Sequence, residues 1–287
     1  MPQIIILQRV YRLLFFLDIV KIIRMAQEVK DFDEVYAHYY PMTIVGWLAK
    51  RRYGSMYWVH NYGVPPVTVF PLVAEKIYIT LFRWLSNSTI RPADRVVSIS
   101  RYLADVLKHE IGKDSEVEHV PINHKAYHTD IDGSWVRARY GIGADPLIVS
   151  IGRISPHKGV DLLIHAFHEA RKEVPRAQLL IVGKSTFKLY FERLMREAGG
   201  GVHFVGFVPE EKLPEYYAAA NVYATATLWE GFDMPIAEAQ ACGTMVVAFD
   251  IGPHKEIVDE RAQLVPVRDI HAFARALCRA LASRKKT

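Results

Sequence analysis

Residues 147–159 read LIVSIGRISPHKG and hold the clearest fold signal in this 287-residue chain. Leu147–Ile151 is a nearly continuous apolar run of strand length, which is typical of a parallel strand buried on both faces. The glycine-flanked loop Gly152–Gly159 follows, and apolar residues at helical spacing begin at Val160. The segment therefore predicts a strand, a loop and a helix of a parallel α/β sheet.

The same alternation of predicted strands and helices continues to the end of the chain. The predicted strands are Leu147–Ile151, Leu179–Val182, Val202–Val208, Val222–Thr225, Met245–Phe249 and Gln263–Val267. The predicted helices are Val160–Val174, Leu189–Ala198, Lys212–Ala220, two that begin near Pro235 and Pro253, and His271–Ser283. Six successive β-α units predict a doubly wound, Rossmann-like sheet with right-handed crossovers.

The first part of the chain is less regular but also predicts an α/β domain. Its predicted strands are Glu34–Ala37, Met56–His60, Arg95–Ser100 and Val117–Pro121, and its predicted helices are Thr43–Arg52 and Arg101–Glu110. A polar segment around Asp130 and Asp132 separates it from the regular part. We expect two domains, 1–128 and 129–287.

The composition excludes several classes of protein. Apolar residues make up 51% of the chain and charged residues 23%, which excludes a mostly disordered chain, a collagen-like repeat and a coiled coil. Two cysteines cannot build a disulfide framework, so we expect a reducing, cytoplasmic location.

The basic excess is confined to the first third of the chain. Residues 1–101 carry a net charge of +6, whereas the remainder carries −1. Residues 1–27 mix apolar and basic residues, which is typical of an interfacial amphipathic helix or of an ordinary buried helix. Residues 64–85 mix aromatic and basic residues, which suits a membrane interface or a hydrophobic acceptor groove. We predict peripheral attachment to an anionic membrane surface and no nucleic-acid binding, because no base-reading motif is present.

Two loops carry the candidate chemistry. Arg153 and Lys158 lie five residues apart on a glycine-flanked loop after a strand, where a guanidinium and an ammonium can clamp two phosphate groups. A solvated basic loop is the alternative. Glu230 lies in the loop after another predicted strand and Glu238 lies eight positions later, about one turn into a predicted helix, so the two carboxylates can each accept hydrogen bonds from hydroxyls of one ligand. Two surface carboxylates are the alternative there.

Taken together, these motifs resemble those of a known family. The pattern Gly-Arg-x4-Lys-Gly at 152–159, Glu-Gly-Phe-x-x-Pro at 230–235 and the Glu-x7-Glu pair resemble the retaining glycosyltransferases of the GT-B fold, which include glycogen synthase-like and mannosyltransferase-like enzymes. The match covers roughly residues 95–280. It implies two Rossmann-like domains, with the amino-terminal one shortened, because no glycine-rich loop precedes the first family-like strand.

The resemblance also implies roles for individual residues. The implied catalytic residues are Arg153 and Lys158 on the diphosphate leaving group, Glu230 on the transferred sugar, and His60, which approaches the sugar from the other domain. The implied donor-binding residues are Gly152 on the phosphate loop, Glu238 on the ribose, the backbone of Gly231, Phe232, Asp233 and Met234 on the sugar, and Val208 on the base. Asp233 departs from the family pattern, which usually has glycine there.

The implied reaction moves a sugar from a UDP- or GDP-linked donor to a hydroxyl acceptor, which the basic first third marks as lipid-linked. No metal and no cofactor are expected: the acidic pairs Asp31/Asp33 and Asp130/Asp132 do not follow strands in the way that a metal-diphosphate site requires. The alternative is a catalytically incomplete sugar-nucleotide-binding protein that needs a partner chain. The donor base, the sugar, the acceptor and the oligomeric state stay open at this point.

Overall fold

The computed structural model describes residues 14–70, 72–185 and 187–283. The chain divides into two compact units, of which the first ends at His119 and the second begins at Val120. From the sequence we placed the division after residue 128.

The first unit contains a four-stranded parallel sheet in the order β1-β2-β3-β4. The strands are β1 (Glu34–Ala37), β2 (Met56–Asn61), β3 (Arg95–Ser98) and β4 (Glu116–Val117). The helices are α1 (Ile19–Glu28), α2 (Met42–Tyr53), α3 (Val73–Ile90) and α4 (Arg101–Ile111), with short 3-10 turns at Phe15–Leu17 and Val67–Val69.

Local signals explain why these helices begin and end where they do. The Ser100 side chain accepts a hydrogen bond of 3.2 Å from the Leu103 N–H and so caps α4 at its start. Gly54 and Gly112 end α2 and α4 in the left-handed conformation, at φ +79° and +67°. Both signals are legible in the sequence, and the predicted bounds of these two helices agree with the structure to within one residue.

The second unit contains a six-stranded parallel sheet in the order β10-β9-β8-β5-β6-β7. The strands are β5 (Leu147–Ile151), β6 (Gln178–Val182), β7 (Val202–Gly206), β8 (Val222–Thr225), β9 (Met245–Phe249) and β10 (Gln263–Val265). The helices are α5 (Ser134–Arg139), α6 (Val160–Glu173), α7 (Lys188–Glu197), α8 (Leu213–Ala219), α9 (Met234–Ala241), α10 (His254–Ile257) and α11 (Ile270–Ala282). The doubly wound parallel sheet expected from the sequence is confirmed.

Apolar clusters cover both faces of this sheet. Along β5, Leu147 and Val149 belong to one cluster and Ile148 to the other. A strand buried on both faces needs apolar residues at consecutive positions, which is why its sequence shows little alternation.

The strand order fixes the place of a ligand site. From β5 the chain winds through β6 and β7 in one direction, and from β8 through β9 and β10 in the other, while β5 and β8 are hydrogen-bonded neighbours. The loops that follow β5 and β8 therefore meet at a topological switch point, where open α/β sheets bind ligands.

Two helices were not predicted. Val73–Ile90 lies within and beyond the aromatic and basic stretch that we interpreted as a membrane interface or an acceptor groove, and Ser134–Arg139 lies in the expected polar connection. Residues 1–13 of the expected amphipathic segment lie outside the described residues, while its later part forms α1, which buries Ile22 and Ala26. Within the described part of the chain, no helix is both long enough and apolar enough to cross a membrane.

Candidate active site

The loops after β5 and β8 are held together by backbone contacts. The Leu228 N–H donates a hydrogen bond of 2.8 Å to the carbonyl oxygen of His157. Gly159 has φ +60°, and a Cβ atom built there would lie 2.0 Å from the carbonyl oxygen of Ala226. Only glycine combines that backbone conformation with so close an approach, so the second glycine of the Gly-Arg-x4-Lys-Gly motif sets the spacing of the two loops.

Lys158 and Glu230 form an ion pair between these loops, with side chains only 17% and 15% exposed. The Thr227 hydroxyl donates a second hydrogen bond of 3.0 Å to the same carboxylate oxygen of Glu230. Burial lowers the pKa of the Lys158 ammonium, but the Asp233 and Glu230 carboxylates outweigh it and the net pKa is raised. Lys158 therefore remains a fixed positive charge at neutral pH.

Opposing effects act on the pKa of the Glu230 carboxyl. Burial and the negative charge of Asp233 raise the pKa of its carboxyl, while Lys158 and the Thr227 hydroxyl lower it, and the net direction is upward. A buried carboxylate of this kind is costly once its cation is engaged elsewhere, so it requires hydroxyl or ammonium donors from a ligand.

Two further basic side chains belong to the loop after β5. Arg153 is exposed, and its positive charge acts on both Lys158 and His157. Burial first, and then the charges of Lys158 and Arg153, lower the pKa of His157 to about 4. The loop therefore presents two cations and a neutral imidazole, a combination suited to an anionic ligand.

Glu238 lies one turn into α9, where the Tyr217 hydroxyl donates a hydrogen bond of 2.7 Å to its carboxylate. Burial raises the pKa of the Glu238 carboxyl, while the Tyr217 hydrogen bond lowers it. Three of the remaining predicted donor-binding residues are buried just before α9: Gly231, Phe232 and Asp233. Met234 is the first residue of α9. Gly152 and Val208 are half-buried, and Val208 packs against the apolar cluster on one face of the sheet.

His60 belongs to the first unit and lines a cavity of about 50 Å³ there. Its ring stacks on that of His38, with centroids 4.8 Å apart. Burial and the neighbouring His38 lower the pKa of His60, so the imidazole is neutral at pH 7.

The structure thus brings Arg153, Lys158, Glu230 and Asp233 of the second unit into one charged cluster. Four residues that complete it were not predicted as site residues: Thr227, His157, Tyr217 and His254. His157 lies inside the Gly152–Gly159 loop and Thr227 lies three positions before Glu230, so attention to side chains near the charged positions would have found both. Tyr217 and His254 reach the site through tertiary folding from distant segments.

Comparison with known proteins identifies the family of this chain. The model of the family described as Glycosyl transferases group 1 matches residues 136–287, and the model of Glycosyltransferase Family 4 matches residues 2–122. The chain belongs to the glycosyl transferases group 1 family.

Two curated relatives show the level of similarity. The GDP-mannose-dependent alpha-(1-6)-phosphatidylinositol monomannoside mannosyltransferase of Mycolicibacterium smegmatis is 32% identical over 83% of this chain and 64% of that protein. A D-inositol 3-phosphate glycosyltransferase of Streptomyces bingchenggensis is 31% identical over 77% of this chain and 52% of that protein. The chain thus spans about half to two thirds of the length of these relatives.

Solved structures confirm the GT-B fold expected from the motifs. Anabaena HepE in complex with UDP and glucose superimposes with a TM-score of 0.76 at 20% identity, covering 91% of this chain and 72% of HepE. A sucrose-phosphate synthase from Thermosynechococcus elongatus superimposes with a TM-score of 0.73 at 26% identity, covering 88% of this chain and 65% of that one.

Proposed function

We propose that this glycosyltransferase moves a sugar from a nucleotide-diphosphate donor to a hydroxyl acceptor, with retention of anomeric configuration and without a metal ion. The observation that carries the proposal is the position of Lys158. Its buried ammonium lies at the switch point, paired with Glu230 and close to the charge of Arg153.

Two basic side chains of the second unit can stabilise a departing diphosphate. As the bond between the anomeric carbon and the phosphate oxygen breaks, its electron pair passes to the diphosphate, and Lys158 and Arg153 stabilise the developing charge. The N-terminus of α9 adds the partial positive charge of its free N–H groups. The acceptor oxygen forms its bond on the face that the phosphate leaves, and its proton passes to the departing phosphate oxygen.

The donor is held by carboxylates at two points. Glu230 accepts hydrogen bonds from hydroxyls of the transferred sugar once Lys158 engages the diphosphate. Glu238 accepts hydrogen bonds from the ribose hydroxyls, for which its half-buried carboxylate, already fixed by Tyr217, is suited. His60 lines a cavity of the first unit, and its neutral imidazole is suited to a hydrogen bond with a sugar hydroxyl.

The names of the relatives narrow the substrates we propose. GDP-mannose is the donor named for the Mycolicibacterium protein, and both relatives are named for inositol-containing acceptors. We therefore propose GDP-mannose as the donor and an inositol-containing lipid as the acceptor. UDP-glucose represents the UDP-linked donors that the motifs leave open.

One face of α3 supports the proposed attachment to a membrane. Val73, Ile77, Leu81 and Trp84 are exposed at spacings of three and four residues, which places them on the same side of the helix. Exposed Lys76 lies beside them, and the first 101 residues carry the basic excess. An anionic membrane surface can accept the apolar residues of this face and attract its basic residues. Both cysteines are free, in keeping with a reducing compartment at that surface.

The proposal is tested with GDP-mannose and UDP-glucose, in the presence of EDTA, using an inositol lipid extract as acceptor. A glycosylated product formed in EDTA, with the donor's anomeric configuration by proton coupling constants, supports it. Loss of activity in EDTA overturns metal independence, and an inverted product overturns retention.

A second candidate is a sugar-nucleotide-binding protein that is incomplete without a partner chain. The charged cluster that would hold the donor belongs entirely to the second unit, which favours donor binding without turnover. It predicts donor binding by calorimetry with no turnover until a further polypeptide is added.

A further inference from the structure

Asp233 is an unusual residue for its position. It immediately precedes α9 in the left-handed conformation, at φ +80°. An aspartate before a helix normally accepts a hydrogen bond from a first-turn N–H, yet the Asp233 side chain makes no such bond. Its carboxylate is therefore directed elsewhere for a reason other than helix capping.

The carboxylate is held by His254, the first residue of α10. The Nε2 atom of His254 lies 3.1 Å from Oδ2 of Asp233, and its Nδ1 atom lies 2.7 Å from the carbonyl oxygen of Phe249. The His254 and Asp233 side chains are 0% and 1% exposed. Imidazole thus ties the end of β9 to the loop that precedes α9.

The hydrogen bonds of this pair leave one carboxylate oxygen unused. A carbonyl oxygen only accepts, so Nδ1 of His254 carries a hydrogen. Nε2 and Oδ2 share a further hydrogen, which engages Oδ2, while Oδ1 keeps its capacity to accept.

Among the residues that the structure describes, buried Oδ1 of Asp233 has no hydrogen-bond partner. Buried acceptors without partners are rare because they lose their hydration and gain nothing in return. The charge of Asp233 acts on Lys158, Glu230 and Glu238, so the carboxylate lies among the residues that we assign to the donor. Of the parts of a nucleotide sugar near Lys158, the phosphates only accept hydrogen bonds, whereas the sugar hydroxyls donate them.

We propose that Oδ1 of Asp233 accepts a hydrogen bond from a hydroxyl of the transferred sugar, and that His254 is the positioning residue that aims it. This inference rests on the proposed function and deepens it. A glycine at position 233, usual in the family that the motifs resemble, supplies no such acceptor, so the Asp233–His254 pair gives this chain a sugar contact of its own.

The test compares dissociation constants of GDP-mannose with GDP, and of UDP-glucose with UDP, by calorimetry on the full chain. Asp233→Gly keeps the left-handed conformation and removes the acceptor. Asp233→Asn keeps an acceptor at Oδ1 and can donate to a neutral His254. We expect Asp233→Gly to reduce the preference for nucleotide sugar over free diphosphate about 10- to 100-fold. Asp233→Asn, which keeps a neutral acceptor, should reduce this preference by less than about tenfold.

Two variants of His254 form a matched pair. The amide nitrogen of His254→Gln takes the place of Nε2 and holds Asp233, whereas that of His254→Asn takes the place of Nδ1 and holds only the Phe249 carbonyl. Each loses one hydrogen bond, but only His254→Asn should lose the preference for nucleotide sugar over free diphosphate. Equal behaviour of the two variants, or an unchanged preference in Asp233→Gly, overturns the inference. Failure of the parent chain to bind any of the four ligands overturns the proposed function instead.

Discussion

Lys158 and Glu230 are 72 residues apart in the sequence and form a buried ion pair where the loops after β5 and β8 meet. The pair holds each group in place before a ligand arrives. In the proposed reaction, a diphosphate beside Lys158 competes for the ammonium and releases Glu230 for sugar hydroxyls, so one event prepares both halves of the donor site.

Lys158→Ala should reduce kcat/KM for sugar transfer by about 100- to 1,000-fold, because the leaving diphosphate loses a preorganised cation. The measurement is diphosphate release at limiting donor. The control is Lys172→Ala, which removes an exposed cation near the end of α6 and should leave the rate unchanged. Near-parental activity of Lys158→Ala would contradict the role assigned to the ammonium.

Gly159→Ala should destabilise the second unit by about 3 kcal/mol or more, because the new methyl group meets the Ala226 carbonyl oxygen in a left-handed backbone. The matched control is Gly141→Ala. Gly141 has a similar φ of +65°, and no described atom lies within 4 Å of the added carbon. The substitution there should therefore lower the free energy of unfolding by only about 1 kcal/mol. Urea unfolding of both variants checks this, and equal losses would show that sterics between the loops are unimportant.

His157 should make the second unit sensitive to acid. Its pKa is about 4 in the folded chain and 6.5 as the ordinary value, so the neutral form is favoured on folding. This contribution is complete above pH 6.5 and is lost as the pH falls from 6.5 towards 4, at about 1.4 kcal/mol per pH unit. Between pH 7 and pH 5 the parent chain should lose about 2 kcal/mol more stability than His157→Asn. Parallel pH profiles in urea unfolding would contradict the assignment.

The exposed face of α3 should bind vesicles. We expect the chain to sediment with vesicles of phosphatidylcholine and anionic phosphatidylglycerol, and Ile77→Ser with Trp84→Ser to weaken this about tenfold or more. The control is Leu189→Ser with Phe207→Ser, two exposed apolar residues of the second unit. If both double variants bind as the parent chain does, α3 is not the attachment surface.

Much of the second unit could be predicted from the sequence, because a strand buried on both faces must be apolar at consecutive positions, as in β5. The loop with Arg153 and Lys158 could be placed directly after that strand because Gly152 and Gly159 flank it, while its phosphate-binding role stays a prediction. The helix Val73–Ile90 was missed because its apolar residues lie on both the buried side, at Ile79, and the exposed side, at Ile77.

The Asp233–His254 pair lay beyond sequence reasoning for a different reason. The two residues stand 21 positions apart, one just before α9 and the other at the start of α10, and meet because β8 and β9 are neighbours in the sheet. The departure of Asp233 from glycine was visible, but its partner was not.

Acceptor-dependent release of nucleoside diphosphate tests the proposed reaction most directly. GDP-mannose and UDP-glucose are incubated in EDTA with the parent chain or Lys158→Ala, with and without inositol lipid extract. We predict that lipid stimulates release from one donor by the parent chain and that Lys158→Ala abolishes the stimulation. Release that does not depend on Lys158, or donor binding without any lipid-dependent release, would contradict a transferase built on this ion pair.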